Sequence, residues 1–243
     1  METPPSPPRI TMRSIFEGIL DIFNLEHGLI YTSIALTLKP GIAIRTYLYE
    51  DRTRLVKPFR FLLLTIALAT FATIQYFKYS LAGEEISAGF FDGLQQGTES
   101  AAANPGASQL RTEALAKQIT DITKNYINLF LLAGVPIVSL ATSWVFRRKM
   151  NYAEHLVLNS YITGYMTMGY LVLMPLLFFL NFVTFTQLYS LFLLIYSSWA
   201  YSQAFREKIG VGIAKSLLAT LIYLVLYYVV IIVLLIGMVF FNT

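Results

Sequence analysis

A five-span, all-α integral membrane bundle is the fold class that this sequence predicts, and three observations predict it. Only 13% of its 243 residues are charged and 56% are hydrophobic, against roughly 25% charged in an ordinary soluble domain. Uncharged stretches long enough to cross a hydrocarbon core recur along the chain, and a helix is the form in which a lipid-exposed backbone satisfies its own polar groups. Fourteen of the 18 Lys and Arg residues flank those stretches on one side, which sets the N-terminus in the cytoplasm and the C-terminus on the opposite, non-cytoplasmic face.

Residues 1–12 are Pro-rich and read as a disordered tail, without the apolar run behind a basic start that marks a cleavable signal. Residues 13–58 read as cytoplasmic, amphipathic interfacial helices. Ser14 and Glu17 have capping-box spacing, and Ile15, Phe16, Ile19, Leu20, Ile22 and Phe23 then share one face. The run from Gly28 to Leu38 is apolar for 11 residues, too short to span, so it dips into the bilayer or lies at its surface until Pro40 stops it. A short helix through Tyr47, Leu48 and Tyr49 follows, and a basic run leads into the membrane domain, 59–243.

The first span is expected over 59–79. The connection 80–125 is net acidic and suits the non-cytoplasmic side, and it leads into a second span over 126–146 that ends on Arg147, Arg148 and Lys149. Between Leu156 and Phe205 there are 50 residues without a charge. As one helix they would run about 75 Å, so they must fold back, with spans over 156–180 and 188–205 and a hairpin at the polar stretch 181–187. The last span covers 216–241.

The chain has no cysteine, which excludes thiolate nucleophiles, Cys-ligated zinc and iron–sulfur clusters. Its net charge of +4 flanks apolar spans, so anionic lipid head groups, rather than nucleic acid, are the expected counter-charge. The uncharged cores of the spans carry none of the ionisable residues that mark ion-coupled transport. Their Ser, Thr, Asn, Tyr and Gly residues, with spacings such as Ser160/Gly164 and Thr65/Ala69/Thr73, suit helix packing within the bundle or between protomers.

Two sets of residues stand out chemically. The only histidines each follow a glutamate, as Glu26-His27 and Glu154-His155; converging at the cytoplasmic face they would supply a ligand set for zinc or a non-haem metal, or a general acid/base pair. Their spacing is no metal motif, and no metal or other cofactor is expected. For Asn151 and Glu154 the N-x-x-E spacing reads first as a capping box, which leaves His155 as an interfacial helix residue. The second set is basic: Arg45, Arg52, Arg54, Lys57 and Arg60 with Arg147 and Arg148. Topology accounts for much of it, but R-x-R-x-x-K-P-F is denser than topology requires and suits a head-group or anion site.

Pro40-Gly41, Tyr47-Leu48, Arg52 and Val56-Lys57-Pro58-Phe59, followed by Asn151-Tyr152-Ala153-Glu154-His155-Leu156-Val157, resemble an uncharacterised family of bacterial multi-pass membrane proteins that is catalogued as a domain of unknown function. The resemblance implies a bacterial inner-membrane location. Many members look like fusions to an N-terminal zinc ribbon, which this cysteine-free chain lacks. The layout of a cytoplasmic N-terminal region, five spans and an external C-terminus is also similar to the Yip family of membrane-trafficking proteins. The favoured reading is a non-enzymatic scaffold whose basic interfacial segment engages lipid or a protein partner, a second copy of the chain included. An enzyme acting on a lipid-linked substrate through the Glu-His residues, and an uncoupled permease or lipid transporter, are the alternatives.

Overall fold

The structure is a computed structural model that describes residues 28–79, 132–147 and 149–241, and every element among them is helical. In chain order these are α1 (Leu29–Leu38), α2 (Pro40–Tyr49), α3 (Pro58–Tyr79), α4 (Leu132–Val145), α5 (Tyr152–Leu173, continued by a 3₁₀ turn, Met174–Phe178), α6 (Phe182–Ala204) and α7 (Ile209–Phe241). Three of them contain segments long and apolar enough to cross a membrane: Pro58–Tyr76, Tyr152–Phe178 and Ile209–Val230. The expected second span enters the described residues only at Leu132. The expected first helix of the N-terminal region and the acidic connection lie outside them.

Local chemistry explains where the helices begin and end. Lys39, at φ −149° and ψ 67°, breaks α1 from α2. Pro40 therefore both ends one helix and opens the next, at a position where its missing N–H removes no helical bond. α5 starts on the expected capping box: Asn151 Oδ1 accepts the Glu154 N–H at 2.9 Å, and Glu154 Oε2 accepts the Asn151 N–H at 2.7 Å, an arrangement worth about 1 kcal/mol. Pro175 sits where the α-helix tightens into the 3₁₀ turn, because it cannot supply the next helical N–H.

The hairpin expected over 181–187 is shorter than the polarity of that stretch suggested. Asn181 alone serves the turn, its Oδ1 accepting the Thr184 N–H at 2.8 Å, and Thr184, Thr186 and Gln187 lie inside α6. A side chain that caps a helix marks its boundary more sharply than the polarity of the residues that follow. At the other end of α6, Arg206 adopts φ 51°, the left-handed conformation that terminates helices. α7 then begins at Ile209 and takes in Lys215, which sequence reading put ahead of the span.

α5 is the axis of the bundle. α3 runs parallel to it, Phe61 packing at Tyr161 and Tyr76 reaching the Leu177 carbonyl. α6 returns antiparallel, with Tyr189 bonded to the Met166 carbonyl and Tyr201 to Asn159, and α7 is antiparallel to α6, joined by Ser198 and Ser216. The small-residue spacing at Ser160/Gly164 does what it predicts: a Cβ at Gly164 would come within 2.8 Å of the Phe61 ring and 3.3 Å of Leu62 Cα, so glycine lets α3 and α5 close.

The largest buried cluster gathers toward one end of the bundle, where Leu36, Ile44, Leu55, Phe61, Phe146, Leu158, Tyr161, Tyr201 and Phe205 pack together. Toward the other end and around the periphery, Phe71, Ile74, Val172, Val183, Leu191, Ile195, Leu221 and Val225 are exposed. That division suits a bundle whose outer surface is covered by lipid tails, where packing and interhelical hydrogen bonds, rather than escape from water, hold helices together.

Candidate functional site

The packed end carries two features with chemical potential, a basic collar and a buried polar cluster. The collar follows from how α1, α2 and their exit loop are docked. α2 lies across the end of α6: a Cβ at Gly41 would collide with the backbone of Ala204, the Gly41 N–H donates to Gln203 Oε1 at 3.2 Å, and Arg45 Nη1 donates to the Ala204 carbonyl at 3.1 Å. α1 lies against α5 and α6. Its Thr37 hydroxyl is 3.0 Å from the Tyr165 hydroxyl, its Ser33 hydroxyl is 3.1 Å from Met168 Sδ, and its Leu36 carbonyl accepts from Tyr196. At about 1.5 Å per residue this puts α1 about 20–24 Å along α5 from Tyr152. Its inner residues Thr32 and Leu36 are fully buried, whereas Ile30, Ile34 and Leu38, spaced one helical turn apart, are 56%, 52% and 66% exposed.

The loop from α2 to α3 is tied down at Val56, whose N–H donates to Thr32 Oγ1 at 3.0 Å and whose carbonyl accepts the Tyr161 hydroxyl at 2.6 Å. Arg52, Arg54, Lys57 and Arg60 are all exposed there. Arg54 is engaged by Asp51 at 3.2 Å, and the hydroxyl and amide of Thr53, with the charge of Arg54, hold the Asp51 carboxyl below its usual range. Arg45 is committed to the α6 C-terminus and to the Tyr49 ring, 5.5 Å from its guanidinium. Farther along the same end, Arg147 is exposed. Lys149 and Lys215 share Glu207 at 3.7 and 2.7 Å, and the hydrogen bond from Lys215 leads the effects that depress the Glu207 carboxyl. Arg148 lies outside the described residues.

The polar cluster joins α4, α5 and α6. Ser139 and Thr142, one turn apart on α4, face His155 and Asn159, one turn apart on α5, and all four are fully buried. Asn159 Nδ2 has Ser139 Oγ, Thr142 Oγ1 and the His155 carbonyl within 3.2, 3.0 and 2.9 Å, and its Oδ1 accepts the Tyr201 hydroxyl at 2.6 Å. His155 Nδ1 lies 3.1 Å from Thr142 Oγ1. One wall is aromatic: the His155 ring is 5.4 Å from Phe205, which stacks on Phe146 at 4.0 Å. Among the described residues, His155 Nε2 is the buried side-chain polar atom without a hydrogen-bond partner.

The expected Glu154-His155 pair therefore divides. Glu154 stays at the surface in its capping box, close enough to Tyr49 that, after burial, its charge is the next cause raising that phenol above its usual range. His155, expected as an interfacial helix residue, is turned into the core, because neighbours in sequence point about 100° apart on a helix. Glu26 and His27 lie outside the described residues. Among the described residues no group of three or more His, Cys, Asp or Glu could hold a metal. The cluster around His155 escaped sequence reading, although i, i+3 polar spacing on one helix and i, i+4 spacing on the next were visible signals.

Compared with known proteins, the chain matches a family described as "Protein of unknown function (DUF3667)" over residues 26–70. No curated protein and no solved structure matches it. The matched stretch takes in α1, α2, the basic loop and the first half of α3, the elements that build the collar, whereas the Asn151–Val157 stretch and most of the chain lie outside it; a short region of this family is present in a largely helical protein with membrane-spanning character.

Proposed function

We propose that the chain is a non-enzymatic scaffold of the bacterial inner membrane that binds anionic lipid head groups at its cytoplasmic face. In this reading it crosses the membrane five times, with the N-terminus cytoplasmic. The antiparallel return of α6 beside α5 supports the fourth crossing, and the one-sided Lys and Arg distribution supports the orientation. One observation carries the lipid assignment: Arg52 and Lys57 are exposed on a loop bonded to the same helix, α1, whose outward face is apolar. A cation beside an acyl-chain surface is the arrangement that meets phosphate and tail together. Arg60 and Arg147 extend the positive surface, while Arg45 and Arg54 serve chiefly to hold the collar's shape.

The test neutralises Arg52→Gln and Lys57→Gln singly and together and measures retention of phosphatidylglycerol against phosphatidylcholine by native mass spectrometry at rising salt. Each charge is worth about 1 kcal/mol near an anionic surface. Phosphatidylglycerol retention should therefore fall about fivefold per substitution, with a weaker salt dependence in the double variant and phosphatidylcholine unaffected. Unchanged phosphatidylglycerol retention in a folded double variant would sink the assignment.

A further inference from the structure

The polar cluster offers a second, separate site. The Thr142 hydroxyl has one hydrogen and two lone pairs. Its hydrogen can go to the Ser139 carbonyl or to His155 Nδ1, each at 3.1 Å, and Asn159 Nδ2 donates into the oxygen at 3.0 Å. The amide cannot be turned the other way, since its Oδ1 takes the Tyr201 hydroxyl and its Nδ2 donates to the His155 carbonyl. With that hydrogen on the Ser139 carbonyl, one lone pair of Thr142 is left for His155 Nδ1 at 3.1 Å, and the imidazole is then the donor there. The opposite tautomer would bury an N–H with no acceptor among the described residues, and an orphaned N–H is the rarer fault in a protein interior. The neutral ring thus presents a bare lone pair at Nε2.

From this donor order we infer that His155 Nε2 is a binding site for one neutral hydroxyl donor, either a water or the hydroxyl of a glycerol-type lipid head group, between α4, α5 and the C-terminal end of α6. Buried acceptors take a partner as a rule, and a polar interior site is where a structural water or a ligand hydroxyl belongs. A cationic donor fits poorly. Glu154 is turned away into its capping box and the adjoining wall is the Phe205 and Phe146 rings, so a buried charge would meet no counter-charge among the residues of the cluster. A metal ion fits poorly for the same reason.

Nitrogen-15 NMR of histidine-labelled protein tests this directly. The chain has two histidines, so His27→Asn leaves one imidazole; should that variant fail to fold, His155→Gln identifies the signal by its loss from the native spectrum. Spectra are recorded in phosphatidylcholine and in phosphatidylglycerol nanodiscs. The expected result is a hydrogen on Nδ1 and an Nε2 resonance shifted upfield of a bare, non-bonded imidazole nitrogen. An upfield shift in both lipids assigns water, and one confined to phosphatidylglycerol assigns the head-group hydroxyl. A hydrogen on Nε2, or a bare Nε2 at the non-bonded position in both lipids, overturns the proposal. None of these outcomes depends on Arg52 or Lys57.

Discussion

Glu207 shows how much a single carboxylate can organise at the rim of a bundle. It receives Lys215 from within α7 and Lys149 from the turn between α4 and α5, so it joins three helix ends that the chain reaches at different times. Because the folded carboxyl sits below its usual range, the sign of its pH dependence follows. Its contribution to stability is complete above the unfolded value, about 4.3, and is lost as pH falls through the lower, folded value. The difference in detergent unfolding temperature between the native chain and Glu207→Gln should therefore be constant near neutrality and shrink under acid; a difference that grows on acidification would contradict it. At this scale legibility depended on sequence distance. Asn151 and Glu154 announced their capping box because both members stand within one turn. Gly41 announced nothing, because the backbone that forbids it a side chain belongs to Ala204.

Among the elements, α1 departs furthest from what short apolar helices usually do. Eleven apolar residues from Gly28 to Leu38 could mean a surface helix or a dipping one, and the bonds from Thr37 to Tyr165 and from Ser33 to Met168 bring it beside the middle of a membrane-spanning helix. Its outward face should accordingly lie in hydrocarbon. A nitroxide at Ile34 should be relaxed by oxygen and protected from a water-soluble nickel chelate, as one at Leu68 on α3 should be, whereas a nitroxide at Arg52 should show the reverse. Chelate access at Ile34 equal to that at Arg52 would put α1 in water. Sequence periodicity could not decide this, since it reports which residues share a face and not how deep a neighbouring helix carries them.

For the molecule as a whole, uncharged stretches predicted five spans and the Lys and Arg bias an orientation, and the structure supports the helical membrane class with three helices long and apolar enough to cross. The absence of cysteine makes the topology easy to interrogate. A cysteine replacing Asn242 should react with a membrane-impermeant maleimide in spheroplasts, and one replacing Arg52 only in inverted vesicles; labelling of both from one side would refute the orientation. The buried polar cluster was the least legible feature. Hydropathy scores Ser139, Thr142 and Asn159 as minor interruptions, and only the meeting of α4, α5 and α6 turns them into one hydrogen-bonded unit.

The docking of α2 also has a consequence for biosynthesis. Gly41 and Arg45 bond to Gln203 and Ala204, 162 and 159 residues later in the chain. At a synthesis rate of about 5–20 residues per second, roughly 8–30 s pass between the emergence of α2 and that of its partner. Throughout that interval the N-terminal helices have no α6 to rest on, so the nascent chain must keep their apolar faces against the membrane surface or a chaperone. Their docking therefore follows the synthesis of α6 and joins an earlier part of the chain to a later one.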